Sequence, residues 1–403
     1  MNQPIHLYNG TVLQHHPAAA SEWKNTDLHL AGQQIVSTAD VASSAGPGSV
    51  RHFDASGLLV LPGLVDIHGD AFERQVQPRP GTTFSYDIAF ADTDKQLIAN
   101  GITTACHGLT YSWEGGLRGR EAALALIHQL QQQKQSMHAD HRLHLRFENH
   151  HTDGCAEALE WIEQGLVDFF AFNEHLPSIL KKSSSPEKLM TYAERARCDV
   201  NQFLERLHKA QSRSTRVAQT IQLLAAACRR KGIAMASHDD ETAADRERYQ
   251  ELGVHISEFP KTDVALNTAR MLSNHVIMGA PNVLLGGSHC GGLSATEAVR
   301  RGQCDILASD YYYPALLHAP FRLVQEGACD LAQAWDLVSR NPAQVLGCGD
   351  RGQLHAGARA DVLLVEQLSN GSPRLIATIA AGKLIYCAQP ERLASAKLVS
   401  LAA

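Results

Sequence analysis

His68-Gly69-Asp70 closes the apolar run Leu58 to Ile67 and sets an imidazole and a carboxylate two residues apart. In an extended chain, residues i and i+2 project to the same side, so both groups can reach one metal ion from the mouth of a strand. Alone, the pair is weak evidence. It gains weight from a series of metal-capable groups that end other apolar, strand-length runs: His107, Glu148, Asn173-Glu174-His175, His238-Asp239-Asp240, Glu258, Ser288-His289 and Asp310. A histidine ending one strand is ordinarily a packing residue, and an aspartate there commonly caps the next helix. Neither explains such a group at nearly every strand end. Three imidazoles (His68, His175, His238) and three carboxylates (Asp70, Glu148, Asp310) suit Zn, Mn, Fe or Ni rather than Ca. Six groups exceed one tetrahedral site but suffice for two ions about 3.5–4 Å apart, which lower the pKa of bound water towards ~7. The expected cofactor is two divalent metal ions, zinc first.

The elements that must position these groups follow an alternating pattern. Strands are predicted over 59–67, 102–106, 143–147, 167–172, 233–237, 254–259, 276–285 and 305–309. Helical patterns lie between them: 117–137, 201–230 ending before Gly232, 241–252 ending before Gly253, and a segment opened by the capping box Ser294-Ala295-Thr296-Glu297. A last helix runs from about 329 to Arg340, where Asn341-Pro342 is expected to break it. Eight strand–helix repeats predict an α/β fold, a TIM-like (β/α)8 barrel, whose functional side chains gather at the C-terminal ends of the strands. No Gly-rich fingerprint follows the first strand, as a doubly wound dinucleotide fold would require. Both chain ends read as short strands. The expectation is a small β-sandwich domain from residues 1–57 plus 350–403 around a barrel of 58–349, with residues 41–49 as a flexible loop.

Composition narrows the partners. A formal charge of −6 argues against nucleic acid. No apolar run approaches the ~20 residues of a membrane span, and no secretory signal is visible at Met1 to Gly10. Nine cysteines without regular spacing suit reduced thiols and a cytoplasmic setting. A small-molecule phosphorylated substrate is the expected partner, with homo-oligomerisation left open. Arg74 and Arg79 follow the first motif and suit phosphate recognition, or are surface arginines of a Pro-rich loop. Gly286 to Gly292, which contains Ser288 and His289, feeds a helix N-terminus, a phosphate-binding arrangement or simply a flexible turn. Lys261 is a third candidate.

The residues Leu61-Pro62-Gly63-Leu64-Val65-Asp66-Ile67-His68, the distal Asp310, Asn341-Pro342-Ala343 and Gly357-Ala358-Arg359-Ala360-Asp361 resemble the amidohydrolase superfamily over almost the whole chain. Most members have His-x-His on strand one. The His68-x-Asp70 here resembles the diphosphatase branch of phosphonate metabolism, as do Pro78-Arg79-Pro80-Gly81, Ser237-His238-Asp239-Asp240, Gly286-Gly287-Ser288-His289 and Ser309-Asp310-Tyr311-Tyr312. Gly69, Ala71-Phe72 and Lys261 depart from that pattern. The resemblance implies that Glu148 bridges two ions, that His68 and Asp70 hold the more buried one, and that His175 and His238 hold the other. It implies Asp310 as the catalytic residue, contacting metal and hydrogen-bonding the hydroxide. The implied reaction cleaves a phosphoanhydride of a ribose 1-methylphosphonate 5-triphosphate and releases pyrophosphate. A C–N hydrolase (deaminase or amidase) with the same metal site is the alternative, and a non-catalytic metal-binding barrel is a third reading.

Overall fold

The computed structural model describes residues 3–16, 19–37, 50–79, 81–133, 136–287 and 292–395. The 41–49 loop expectation lies outside them. Eight parallel strands pair in chain order: β8 (Leu64–Gly69), β9 (Ile102–Tyr111), β10 (Asp140–Glu148), β11 (Phe169–Asn173), β12 (Ala234–His238), β13 (Ile256–Glu258), β14 (His275–Gly279) and β15 (Ile306–Ala308). At least one helix follows each strand. The barrel is nearly closed. Asp310 N donates to His68 O and Asp70 N to Asp310 O, both at 2.9 Å, so the seam between first and last strands lies at the His68-Gly69-Asp70 motif itself. Ile67, Phe169, Ala171, Ala236, Ile256, Ile277, Ile306 and Ala308 fill the interior. Burial of each large side chain contributes about 1.5–3 kcal/mol, which makes this a packed floor under the site rather than a pore.

Both chain ends build the small domain. One sheet runs β19 (Leu393–Ser395), β6 (Arg51–Asp54), β1 (Ile5–Tyr8), β4 (Leu28–Ala31), β5 (Gln34–Val36). The other runs β18 (Lys383–Cys387), β17 (Pro373–Ala380), β16 (Val362–Gln367), β7 (Leu59–Pro62), β2 (Thr11–His16), β3 (Ala19–Asn25). Leu7, Phe53, Val60, Leu364 and Ile376 belong to one shared core.

Four predicted elements differ. The run 59–67 is two strands: β7 joins the small sheet, carrying that sheet past residue 57, and β8 enters the barrel. Gly63 marks the break, because a Cβ there would collide with the Thr103 side chain while Gly63 O accepts from Ser339 Oγ at 2.8 Å. The run 276–285 is a strand only to Gly279. Pro281 then sits in the first turn of helix Ala280–Leu285, where its missing N–H costs nothing. Asn341-Pro342 likewise opens helix Arg340–Val345 rather than ending one. The long 201–230 helix is two, Val200–Ser212 and Val217–Lys231, parted at Arg213.

Candidate metal centre

Strand period 2 decides which groups meet. On β10, His144, Arg146 and Glu148 alternate onto one face, and each contacts the centre. The His144 ring stands 4.9 Å from that of His68, edge to face. Arg146 donates to Asp70 Oδ2 at 3.2 Å and lies 3.1 Å from His238 Nε2. Glu148 accepts from the His175 backbone N–H at 3.0 Å and sits 2.9 Å from His175 Nδ1. On β9 the same alternation sends His107 outward, between Phe72 and Phe90, with its Nε2 2.8 Å from His141 Nδ1. His107 therefore packs, and Gly108 is the residue facing His68. Gly69 has a local reason as well. A Cβ there would lie 2.6 Å from Asp66 Oδ2, which accepts the Ser309 hydroxyl at 2.5 Å across the barrel seam.

Three sets of potential ligand atoms converge: His68 with Asp70 and Asp310, His175 with His238 and Asp239, and His68 with His144 and Glu258. Within each set the atoms lie within 4.8 Å of one another. Asp239, Phe259 and Asp310 have φ of 66°, 55° and 55°. Such non-glycine conformations cost about 1–3 kcal/mol each and persist where surrounding structure enforces them. Here each residue's N–H donates at 2.9 Å to the next strand (Glu258 O, Ile277 O and His68 O), which fixes the turn at the barrel mouth.

A cation fits these residues. The buried atoms His68 Nε2, both ring nitrogens of His144, His238 Nδ1 and Glu258 Oε2 have no hydrogen-bond partner among the described residues, an arrangement that is costly unless another ligand satisfies it. His68 Nδ1 lies 2.8 Å from Glu258 Oε1, an orientation that directs Nε2 into the site. Burial holds His68 and His144 well below the ordinary imidazole range, so both are neutral, as ligands must be. Burial, then Asp70, pushes Asp310 up to about 7. Burial acts to raise Asp239 as well, yet His238 and Lys261 hold it below the usual carboxylate range. Arg146 and Lys261 are the nearby cations, against the carboxylates of Asp70, Glu148, Asp239, Glu258 and Asp310.

A cavity of about 470 Å³ opens over these groups, lined by Arg146, His238, Lys261, Asn282, Asp310 and Tyr311 among others. Lys261 pairs with Asp239 at 3.3 Å and Glu241 at 3.1 Å. Arg74 is exposed, its guanidinium 5.9 Å from the Tyr311 ring centroid. Arg79 is exposed, donates to Thr82 at 3.2 Å and does not line this cavity. Ser288 and His289 lie outside the described residues. Sequence reasoning overlooked His144 and Arg146. The alternation His144-x-Arg146-x-Glu148 was the signal that could have found them. Asp240, read with the strand-five cluster, instead accepts Ser237 Oγ (2.7 Å), Ser257 Oγ (2.8 Å) and buried Arg246 (3.2 Å), bracing the strand end.

No protein-family model matches the chain. Over 325 residues, 79% of this chain and 85% of the relative, it is 34% identical to the alpha-D-ribose 1-methylphosphonate 5-triphosphate diphosphatase of Escherichia coli K12. Among solved structures it resembles an amidohydrolase, with TM-score 0.62, 15% identity and coverage of 95% of this chain and 99% of that one. It also resembles E. coli guanine deaminase, with TM-score 0.58, 14% identity and coverage of 96% and 100%. The structural likenesses give the fold, and the sequence relative narrows it. With its barrel, its strand-end histidines and carboxylates and this relative, the chain is a hydrolase that belongs to the alpha-D-ribose 1-methylphosphonate 5-triphosphate diphosphatase family and has the fold of amidohydrolases.

Proposed function

We propose that the protein cleaves a phosphoanhydride of a ribose 5-triphosphate bearing a methylphosphonate at C1, releasing pyrophosphate. The observation that carries this reading is the 34% identity to the diphosphatase over four-fifths of the chain. His68, Asp70 and Asp310 would hold one ion. His175 and His238 would hold the other, with Asp239 and Glu148 beside them. Two divalent cations bound there, zinc or else Mn, Fe or Ni, would lower the pKa of a water and neutralise charge on phosphoryl oxygens. Asp310 takes the proton released as the water oxygen bonds to phosphorus and the bond to the departing pyrophosphate oxygen breaks. Arg146 and Lys261 line the cavity and supply donors to non-bridging oxygens; Arg74, its guanidinium 5.9 Å from the ring centroid of the cavity-lining Tyr311, joins them in the proposed set. Arg79, Ser288 and His289 belong to the same proposed substrate-binding set.

Among the described residues no helix is long and apolar enough to cross a membrane, and the described cysteines are all free thiols, which supports a reducing compartment such as the cytoplasm. The test is a product assay of the metal-loaded protein. Pyrophosphate from the ribose triphosphate, with no ammonia from a panel of amides and aminopurines, is the expected outcome. Ammonia without pyrophosphate would overturn the reading in favour of C–N hydrolysis.

A further inference from the structure

A second cavity, about 660 Å³, opens at the same C-terminal rim, beside the segments that follow β9 and β10. Arg120, Arg197, Arg206, Lys209 and Arg213 line it against the carboxylates of Glu121 and Asp153. Asp153 is engaged by Arg213 and, at 3.6 Å, by Lys209. Arg197 and Arg206 instead donate to neutral oxygens: Gln77 Oε1 at 2.7 Å and Thr83 Oγ1 at 3.3 Å, and Glu114 O at 2.6 Å and Ala196 O at 3.4 Å. Their charge stays uncompensated by those contacts. Arg197 also holds the left-handed conformation, φ 53°.

Two further features point to an oxyanion. The wall includes Gly115 (φ 89°), Gly116 (φ 61°) and Gly119, leading into the 14-residue helix Arg120–Gln133. The first intrahelical bond there is Ala123 N to Gly119 O, which leaves the N–H groups of the first turn free of intrahelical acceptors. His150, 8% exposed, lines the cavity and its Nδ1 has no partner among the described residues. The same holds for Trp113 Nε1, His151 Nε2 and Thr152 Oγ1, all from cavity-lining residues. Arginines whose charge those contacts leave uncompensated, beside the free N–H groups of a helix start, favour an oxyanion in this cavity.

We propose that this cavity is the subsite for the tetrahedral oxyanion that the substrate carries at the end remote from the scissile phosphoanhydride. On the function proposed above, on which this assignment rests, that group is the methylphosphonate. A substrate anchored at both ends has its reacting phosphorus held in place by a group that takes no part in the chemistry.

The probe is methylphosphonate alone, titrated by its phosphorus resonance against the wild type and against the Arg197→Gln/Lys209→Gln variant. Saturable binding to the wild type, weakened about tenfold or more in the variant, is expected from the loss of charge-assisted contacts. Variant-insensitive binding, or none to the wild type, overturns the subsite. With intact substrates, the ratio of kcat/KM for the phosphonate-bearing triphosphate to that for plain ribose 5-triphosphate falls by a similar factor. An equal loss on both overturns the assignment to the remote end. If the wild type releases pyrophosphate from neither substrate, the proposed function fails, while the methylphosphonate titration still decides for or against the oxyanion site.

Discussion

Asp310→Asn separates what the barrel mouth needs for chemistry from what it needs for stability. In the metal-free fold, burial and then Asp70 push the Asp310 carboxyl up to about 7, against an ordinary value of 3.8. A shift of about three units corresponds to about 4 kcal/mol between the protonation states. The folded state binds this proton more tightly than the unfolded chain. Its contribution is therefore fully present below about pH 4, is lost as pH rises to about 7, and stays lost above. Asparagine keeps the shape and removes the titration. In the presence of chelator, urea denaturation of wild type and variant at pH 5 and pH 8.5 should show the variant's relative stability rising by about 2–3 kcal/mol between the two. Taking the difference at each pH cancels the other carboxylates. With metals restored, turnover of the variant should fall about 10²–10⁴-fold, the usual contribution of a positioned proton acceptor. A stability difference independent of pH would refute the electrostatic account, and near-normal turnover would refute the proton role.

Arg146→Met removes the guanidinium between Asp70 and His238. Elemental analysis should find metal content retained, while steady-state kinetics show kcat reduced about 10²-fold through lost stabilisation of phosphoryl charge. His107→Leu should leave metal stoichiometry and turnover unchanged. It should lower stability in urea by about 1–3 kcal/mol because buried His141 loses a partner; a drop in bound metal would contradict the outward placement of His107. Arg351→Met breaks a buried network in which Arg351 donates to Asp140 at 2.6 Å and Thr104 at 2.9 Å. Since Asp140 keeps Arg142 at 3.0 Å, chemical denaturation should report a loss near about 3 kcal/mol, the low end for a broken buried ion pair.

Much of this was legible because a parallel barrel writes itself as buried, near-continuous apolar runs, each ending where a polar group must face the axis. His68, Asp70, His175, His238 and Asp310 all sit at such ends. Residues inside a strand were harder to read. His144 and Arg146 precede the end of β10, and only the inward alternation of a closed sheet tells them apart from Leu145 and Phe147. His107 misleads for the same reason, one residue out of phase with Gly108. The apolar run 59–67 hides a change of sheet, because both strands are buried and hydrophobicity alone carries no mark of the switch beyond Gly63. Proline misled at Pro342, since a residue that ends one helix is equally suited to the first turn of another, and at Pro281 the apolar run hid that the proline starts a helix. Neither cavity could be read from spacing, because each assembles side chains from segments far apart in the chain.

The small domain's pairing has a consequence for biosynthesis. Val60 on β7 pairs in register with Leu364 on β16, and Phe53 on β6 with Leu393 on β19. At a ribosomal rate of about 5–20 residues per second, roughly 15–60 s separate the emergence of such partners. Through that interval the earliest strands expose unpaired edges, and the first barrel strand is tethered to a half-made sheet. Completion therefore waits on strands about 300 residues downstream, and nascent-chain quality control has a long window in which to act.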